Sequence, residues 1–227
     1  AVQRELIDAL HRAGKKIILV NCSGSPIGLE PETQKCEAIL QAWYPGQQGG
    51  KAVAEVLFGD YNPAGKLPVT FYRNVSQLPD FEDYNMTGRT YRYMQDVPLF
   101  PFGYGLSYTT FGYGKTVLDK NELTAGQSLK LTVPVTNTGK RNGEEVVQVY
   151  LRKQGDAEGP IKTLRAFKRV SIPAGKTVNV EFDLKDKELE WWDAQSNTVR
   201  VCPGNYDIMV GGSSKEEDLQ RTTIAIK

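Results

Sequence analysis

The sequence predicts a partial α/β layer of Rossmann-like type followed by an all-β sandwich. Two patterns predict it. Up to about residue 60 apolar residues recur at helical spacing or in short aliphatic runs, and beyond about residue 116 they alternate with period two. Between the two lies a stretch rich in proline and aromatic residues with no period of either kind.

Val2, Leu6, Ala9, Leu10 and Ala13 stand at helical spacing, and Gly14 follows as a stop. The aliphatic run 17–20 lies between two lysines and a Ser-Gly-Ser-Pro turn, which predicts a strand covered on both faces. Residues 38–40 read as the next strand. The turn Pro45-Gly-Gln-Gln-Gly-Gly50 leads into Ala52, Val53, Val56 and Leu57 at helical spacing, closed by Gly59. A helix opening the chain at residue 2 has no preceding strand to connect, so the reading is a parallel sheet of two or three strands cut from a larger one. Pro63, Pro68, Pro79, Pro98 and Pro101 punctuate the next stretch, together with many aromatics. Disordered linkers are poor in aromatics, so an ordered irregular connection packed on its neighbours is expected.

Period two then takes over. Leu129, Leu131, Val133 and Val135 alternate, as do Val147, Val149 and Leu151, then Val178, Val180, Phe182 and Leu184. Tyr206, Ile208 and Val210 follow, and finally Ile224 and Ile226. Asn137-Thr-Gly, Arg141-Asn-Gly, Pro173-Ala-Gly and Pro203-Gly-Asn supply the turns. With a first strand near Val117 and one across 161–170, this gives about seven short strands in roughly 110 residues, the pattern of an immunoglobulin-like or fibronectin type III-like sandwich. No Cys-Trp-Cys arrangement marks a true immunoglobulin domain. The expected division is 1–73 for the α/β portion, 74–115 for the connection and 116–227 for the sandwich.

Composition excludes several classes. At 227 residues two domains are the natural expectation. Lys and Arg number 28 against 27 Asp and Glu, a net charge of +1, so no basic face is available for nucleic acid. No apolar run is long enough for a membrane helix and residue 2 does not open a signal peptide, so a soluble chain without a membrane partner is expected, any export signal lying ahead of Ala1. Cys22, Cys36 and Cys202 have no metal-ligand spacing and only His11 to help them, so neither a metal nor a cofactor is expected. Cys22 and Cys36 leave two readings open, a disulfide if their strands are neighbours or two buried thiols. The sequons at Asn21, Asn74 and Asn85 would matter only in a eukaryotic secretory pathway.

The stretch from Pro45 to Ala52 imitates a phosphate loop but lacks its first glycine and its Ser or Thr, and its glycines read instead as letting a helix start close against a strand. Asp80, Glu82 and Asp83 form an acidic cluster. A glycosidase needs two carboxyls about 5–9 Å apart, one kept protonated by an apolar setting. Three acids within four loop residues read as a solvated turn whose members titrate as ordinary acids. Trp191 and Trp192 could form a sugar-stacking platform, but neighbours on a strand point to opposite faces, so one of them belongs to the core. His11 has no triad partners, and no G-x-S-x-G nucleophile motif occurs.

The run Ile39-Leu-Gln-Ala-Trp-Tyr-Pro-Gly-Gln-Gln-Gly-Gly-Lys-Ala-Val-Ala-Glu-Val-Leu-Phe-Gly-Asp-Tyr-Asn-Pro-Ala-Gly-Lys-Leu-Pro-Val-Thr-Phe71 resembles the second domain of glycoside hydrolase family 3. Pro101-Phe-Gly-Tyr-Gly-Leu-Ser-Tyr-Thr-Thr-Phe111 resembles the segment by which that family enters its C-terminal domain. Asn137-Thr-Gly-Lys-Arg-Asn-Gly-Glu-Glu-Val-Val-Gln-Val-Tyr150 resembles the opening of its fibronectin type III-like domain. Asp80-Phe-Glu-Asp-Tyr-Asn-Met-Thr-Gly-Arg-Thr-Tyr-Arg-Tyr93 is similar to the β-xylosidase and α-arabinofuranosidase branch rather than to typical β-glucosidases.

The resemblance implies a secreted, exo-acting retaining enzyme, periplasmic or extracellular, acting on an oligosaccharide or aryl glycoside. In the family an aspartate on an N-terminal barrel attacks the anomeric carbon and a glutamate of the second domain serves as acid and base. Neither motif occurs here, so no catalytic residue is carried over and no substrate-binding residue is assigned. Only structural positions are, the turn 43–50 and the connection 89–93, with the barrel of the same parent chain as the implied partner. The competing expectation is a self-standing carbohydrate-binding or adhesion module, which an exposed aromatic stripe or calcium ligands on the sandwich would favour.

Overall fold

The computed structural model describes residues 2–227. Its first part holds α1 (Val2–Arg12), β1 (Ile18–Asn21), the short α2 (Glu30–Thr33), β2 (Ala38–Gln41) and α3 (Gly49–Phe58). β1 and β2 pair in parallel, Ile18 opposite Ala38 and Asn21 opposite Gln41. This is the two-stranded α/β layer that the aliphatic runs predict.

The expectation of a first strand covered on both faces is overturned. Ile18 is 54% exposed, and α1 buries none of its residues. The reason is that α1 docks by its polar side. Arg4 Nε donates to Glu32 Oε1 at 2.8 Å, its Nη2 donates to the Gly28 carbonyl at 2.7 Å, and one turn on Asp8 pairs with Lys35. Val2, Leu6 and Leu10 are left facing outward. The start of α3 differs as well. A Cβ at position 49 would lie 2.5 Å from the Pro45 ring, so the close neighbour is that proline rather than a strand.

Between α3 and the sandwich the chain is largely irregular. It contains a 3-10 turn (Val75–Gln77) and the short α4 (Thr90–Tyr93), and it folds back on the end of the α/β portion, where Phe71 N–H donates to Phe100 O at 2.9 Å and Leu67 N–H to Tyr104 O at 2.8 Å. Rings run through it edge to face and stacked: Trp43 on Phe71, Phe71 on Phe100, Phe100 on Tyr104, and Tyr91 on both Phe102 and Tyr150. Such pairs add roughly 0.5–1.5 kcal/mol each beyond burial. Gly103 (φ 79°) and Gly105 are required by close approach, since a Cβ would lie 2.1 Å from Gln148 Oε1 at the first and 2.2 Å from the Gly65 carbonyl oxygen at the second.

The sandwich comprises β3 (Phe111–Tyr113), β4 (Val117–Leu118), β5 (Glu122–Leu123), β6 (Leu129–Asn137), β7 (Gly143–Lys153), β8 (Thr163–Ile172), β9 (Thr177–Leu184), β12 (Gly204–Gly211) and β13 (Gln220–Ile226), with α5 (Asp186–Leu189) and the hairpin β10 (Trp191–Asp193) and β11 (Thr198–Arg200) before β12. A five-stranded sheet, β5-β13-β12-β7-β8, faces a four-stranded one in which β6 pairs with β9 on one side and with β3 and β4 on the other. Leu129, Leu131, Val133 and Val135 of β6 meet Val147, Val149, Leu151, Ile208 and Val210 in one core. Each such side chain contributes about 1.5–3 kcal/mol on full burial.

All seven predicted strands are present, and the additional ones, β3, β5, β10 and β11, have only two or three residues, too few to display a period. The strand predicted at 161–170 is β8, two residues further on. β7 is buried on consecutive residues rather than alternate ones, because Gln148 and Tyr150 turn away from the core onto the connection.

The four-stranded sheet begins with β3, which pairs with β6 from Phe111 opposite Asn137 to Tyr113 opposite Val135, ahead of residue 116. A fragment 111–227 is therefore expected to show strand-dominated circular dichroism and a single cooperative melt, and 116–227, with that stretch of β6 losing its partner on the β3 side, to melt lower. A helix-rich spectrum or a gradual melt for 111–227 would contradict this.

Candidate functional site

Both stretches carried over as structural positions contain a non-glycine residue with positive φ: Trp43 at 56° and Thr90 at 58°. Such backbone costs roughly 1–3 kcal/mol and persists only where the surroundings enforce it. Trp43 follows the C-terminal end of β2, its ring edge-on to Phe71. At the same end Asn21 Nδ2 donates to Gln41 Oε1 at 2.6 Å and to Ser23 Oγ at 3.0 Å, and Tyr44 is 77% exposed. The C-terminal end of parallel strands is where α/β sheets form ligand crevices. Thr90 is held by its N–H donating to Tyr72 Oη at 2.7 Å, and the next N–H, of Tyr91, donates to Thr70 Oγ1 at 3.0 Å.

The acidic cluster is a turn closed on itself. Asp80 Oδ1 accepts from Glu82 N–H at 2.8 Å, and Asp83 Oδ1 accepts from the Asn85 backbone N–H at 2.9 Å and its side-chain amide at 2.7 Å. Arg89 staples the turn through the carbonyls of Asn85, Asp80 and Asp83. Asp80 and Glu82 are exposed, as are the neighbouring rings of Phe81 and Tyr84. Asp83 departs from the expectation of an ordinary acid. The Asn85 backbone N–H, then its amide, hold the Asp83 carboxyl below the usual range, the opposite of what a general acid requires.

The buried charges serve as joints. Lys66 Nζ lies 3.1 Å from Glu145 Oε1 with both side chains largely buried, and Tyr113 Oη donates to the same oxygen at 3.2 Å. Burial pushes the Glu145 carboxyl up, opposed chiefly by the Lys66 charge. Connection and sandwich enclose a cleft of about 590 Å³ lined by Arg73, Tyr91, Phe100, Arg152, Lys162 and Glu216, among others. Burial raises Glu216, but the hydrogen bond from Lys162 at 2.6 Å and the charges of Lys162 and Arg221 outweigh it and leave the carboxyl lowered.

Trp191 is buried, its Nε1 donating to Asp156 Oδ2 at 2.6 Å, while Trp192 is 53% exposed; one of the pair is core, as alternation requires. His11 is exposed on α1. All three cysteines are free, and the reading of Cys22 and Cys36 as buried thiols fails for Cys22, which is exposed. Burial, then Glu32, pushes the half-buried Cys36 thiol up. Among the described residues no three His, Cys, Asp or Glu side chains group as metal ligands, and no helix is long and apolar enough to cross a membrane. Residue reading missed the strain at Thr90 and the stapling role of Arg89, whose only signal was the Gly88-Arg-Thr motif itself.

Residues 1–108 match the Glycosyl hydrolase family 3 C-terminal domain, and residues 145–214 match the Fibronectin type III-like domain. The chain is 57% identical to a xylan 1,4-beta-xylosidase of Xylanibacter ruminicola over 99% of its own length and 26% of that protein's. It is 39% identical to a periplasmic beta-glucosidase of Salmonella typhimurium, covering 93% of itself and 29% of that protein. Among solved structures, the β-glucosidase EmGH1 of Erythrobacter marinus superposes with a TM-score of 0.86 at 42% identity, over 99% of this chain and 30% of that one. The chain thus spans about a quarter to a third of the length of these relatives. Its α/β layer, aromatic connection and sandwich, in that order, make it a member of glycoside hydrolase family 3, corresponding to the family's C-terminal domains.

Proposed function

We propose that this chain is the supporting C-terminal part of an exo-acting retaining glycosidase and that it sits against an N-terminal barrel of the same protein. The near-complete match of the chain to a quarter of a xylan 1,4-beta-xylosidase carries this reading. The outward Val2, Leu6 and Leu10 of α1 and the exposed Ile18 of β1 support it, because apolar side chains of this kind call for covering. The nucleophile and the acid/base then come from outside these residues. The self-bonded acidic turn suits neither role, as retaining hydrolysis needs two carboxyls about 5 Å apart around a sugar. An export route to the periplasm or cell exterior fits the periplasmic relative. The stand-alone binding or adhesion module is the weaker reading, since relatives matching the whole chain extend far beyond it.

For the intact protein β-xylosides or α-arabinofuranosides are the proposed substrates in preference to β-glucosides. The stretch from Asp80 to Tyr93 and the 57% identity to the xylan 1,4-beta-xylosidase support that preference. Comparing kcat/KM of the full-length enzyme on the three aryl glycosides tests it. The pentosides are expected to lead by at least roughly tenfold, about 1.4 kcal/mol of differential transition-state binding. Equal or greater turnover of the glucoside would remove the assignment.

A further inference from the structure

A second cavity, about 360 Å³, opens where the β10–β11 hairpin approaches α4. Its size falls at the lower end of the roughly 300–1,000 Å³ of small-ligand sites. Two guanidiniums line it, Arg92 from α4 and Arg165 from β8. The Arg92 guanidinium carbon lies 5.6 Å from the centre of the Tyr93 ring and that of Arg165 5.7 Å from the centre of the Trp191 ring. The Nε of each arginine and the hydroxyl of Thr163 are buried without a hydrogen-bond partner. Arg165 gives one hydrogen bond, to the Glu190 carbonyl, and neither guanidinium forms an ion pair among the described residues. Burial, then the neighbouring Arg92 charge, lowers the Arg165 pKa.

The carboxylates on the wall do not resolve this. Asp156 is committed to Trp191 Nε1 and to the Gly159 N–H, and Glu158 is exposed. Two like charges with buried, unanswered donors are costly unless an anion joins them. The planar fork of arginine matches a carboxylate in two-point geometry. Trp192, half exposed on the same wall, offers a flat apolar surface to a pyranose face. We propose that this cavity binds a carboxylate-bearing sugar, a uronic acid unit, with Arg92 and Arg165 clamping the carboxylate, Thr163 bonding it or a ring hydroxyl, and Trp192 against the ring. The clamp stands independently of the hydrolytic reading, since it requires only this cavity.

Titrating the 227-residue chain with glucuronate, glucose and acetate, followed by tryptophan fluorescence and calorimetry, tests it. Saturable glucuronate binding at least roughly tenfold tighter than glucose is expected, the worth of one or two charge-assisted hydrogen bonds. Arg92→Lys and Arg165→Lys keep the charge but lose the fork, and each is expected to weaken glucuronate about tenfold with an unchanged circular dichroism spectrum. Trp192→Ala is expected to weaken glucuronate and leave acetate unaffected. Glucose binding as well as glucuronate, acetate binding as tightly as glucuronate, or lysine variants that bind like the parent chain would each overturn the proposal. Full-length protein that no longer binds glucuronate would overturn it as well, assigning the clamp to a carboxylate of that protein.

Discussion

Replacing Asn137 by alanine is expected to destabilise the sandwich by about 3–4 kcal/mol and to lower its melting temperature by roughly 10 °C. Asn137 is fully buried at the end of β6 and uses its whole side chain. Oδ1 accepts from Thr109 Oγ1 at 2.6 Å and from Gly139 N–H at 3.1 Å, while Nδ2 donates to the carbonyls of Arg141 at 2.7 Å and Ile172 at 2.9 Å. One amide thus ties the connection, the β6–β7 turn and the end of β8. Alanine leaves all four groups without their partner, and each buried orphan costs about 1–3 kcal/mol before relaxation and water repair part of it. Asn137→Asp separates hydrogen bonding from volume, because it keeps the acceptor but turns a second oxygen toward two carbonyls. A loss as large as that of alanine is expected for it. Chemical denaturation of the three proteins measures both, and an alanine variant within 1 kcal/mol of the parent chain would contradict the account.

Asn137 also marks the limit of what the sequence reveals. As Asn-Thr-Gly it reads as a turn, which it is, but nothing local discloses that its amide joins that turn to two segments lying 28 and 35 residues away. The long strands were legible because Leu129, Leu131, Val133 and Val135 alternate over a core of one chemical type. The short β3 and β5 were not, since they owe their strand form to pairing with β6 and β13 rather than to any period of their own. α1 was legible as a helix, but its packing was not. Its apolar stripe predicts a buried face, whereas Arg4 and Asp8 bind it through the opposite one. Periodicity records which face is apolar and not whether that face is covered.

The acidic turn illustrates the same division for chemistry. The cluster of Asp80, Glu82 and Asp83 was legible as a solvated turn, but the lowered carboxyl of Asp83 depends on the two Asn85 donors and became visible only in the structure. The Arg92 and Arg165 pair had no signal in the chain, because 73 residues separate them and neither belongs to a motif that requires the other.

The proposed supporting role predicts that this chain hydrolyses no glycoside by itself. Retaining hydrolysis requires a nucleophile and an acid/base held rigidly about 5 Å apart, and misplacing either costs orders of magnitude in rate. Asp80, Glu82 and Asp83 stand on an open turn where nothing excludes water, and Asp83 is shifted away from the protonated form a general acid needs. The most direct measurement is nitrophenol release by the purified 227-residue chain from aryl xyloside, arabinofuranoside and glucoside, beside the full-length enzyme. Background release by the chain, with turnover of at least one substrate by the full-length enzyme, is the predicted result. Release above background by the chain, lost when Asp80, Glu82 or Asp83 is changed to alanine, would place a catalytic group in these residues and contradict the account.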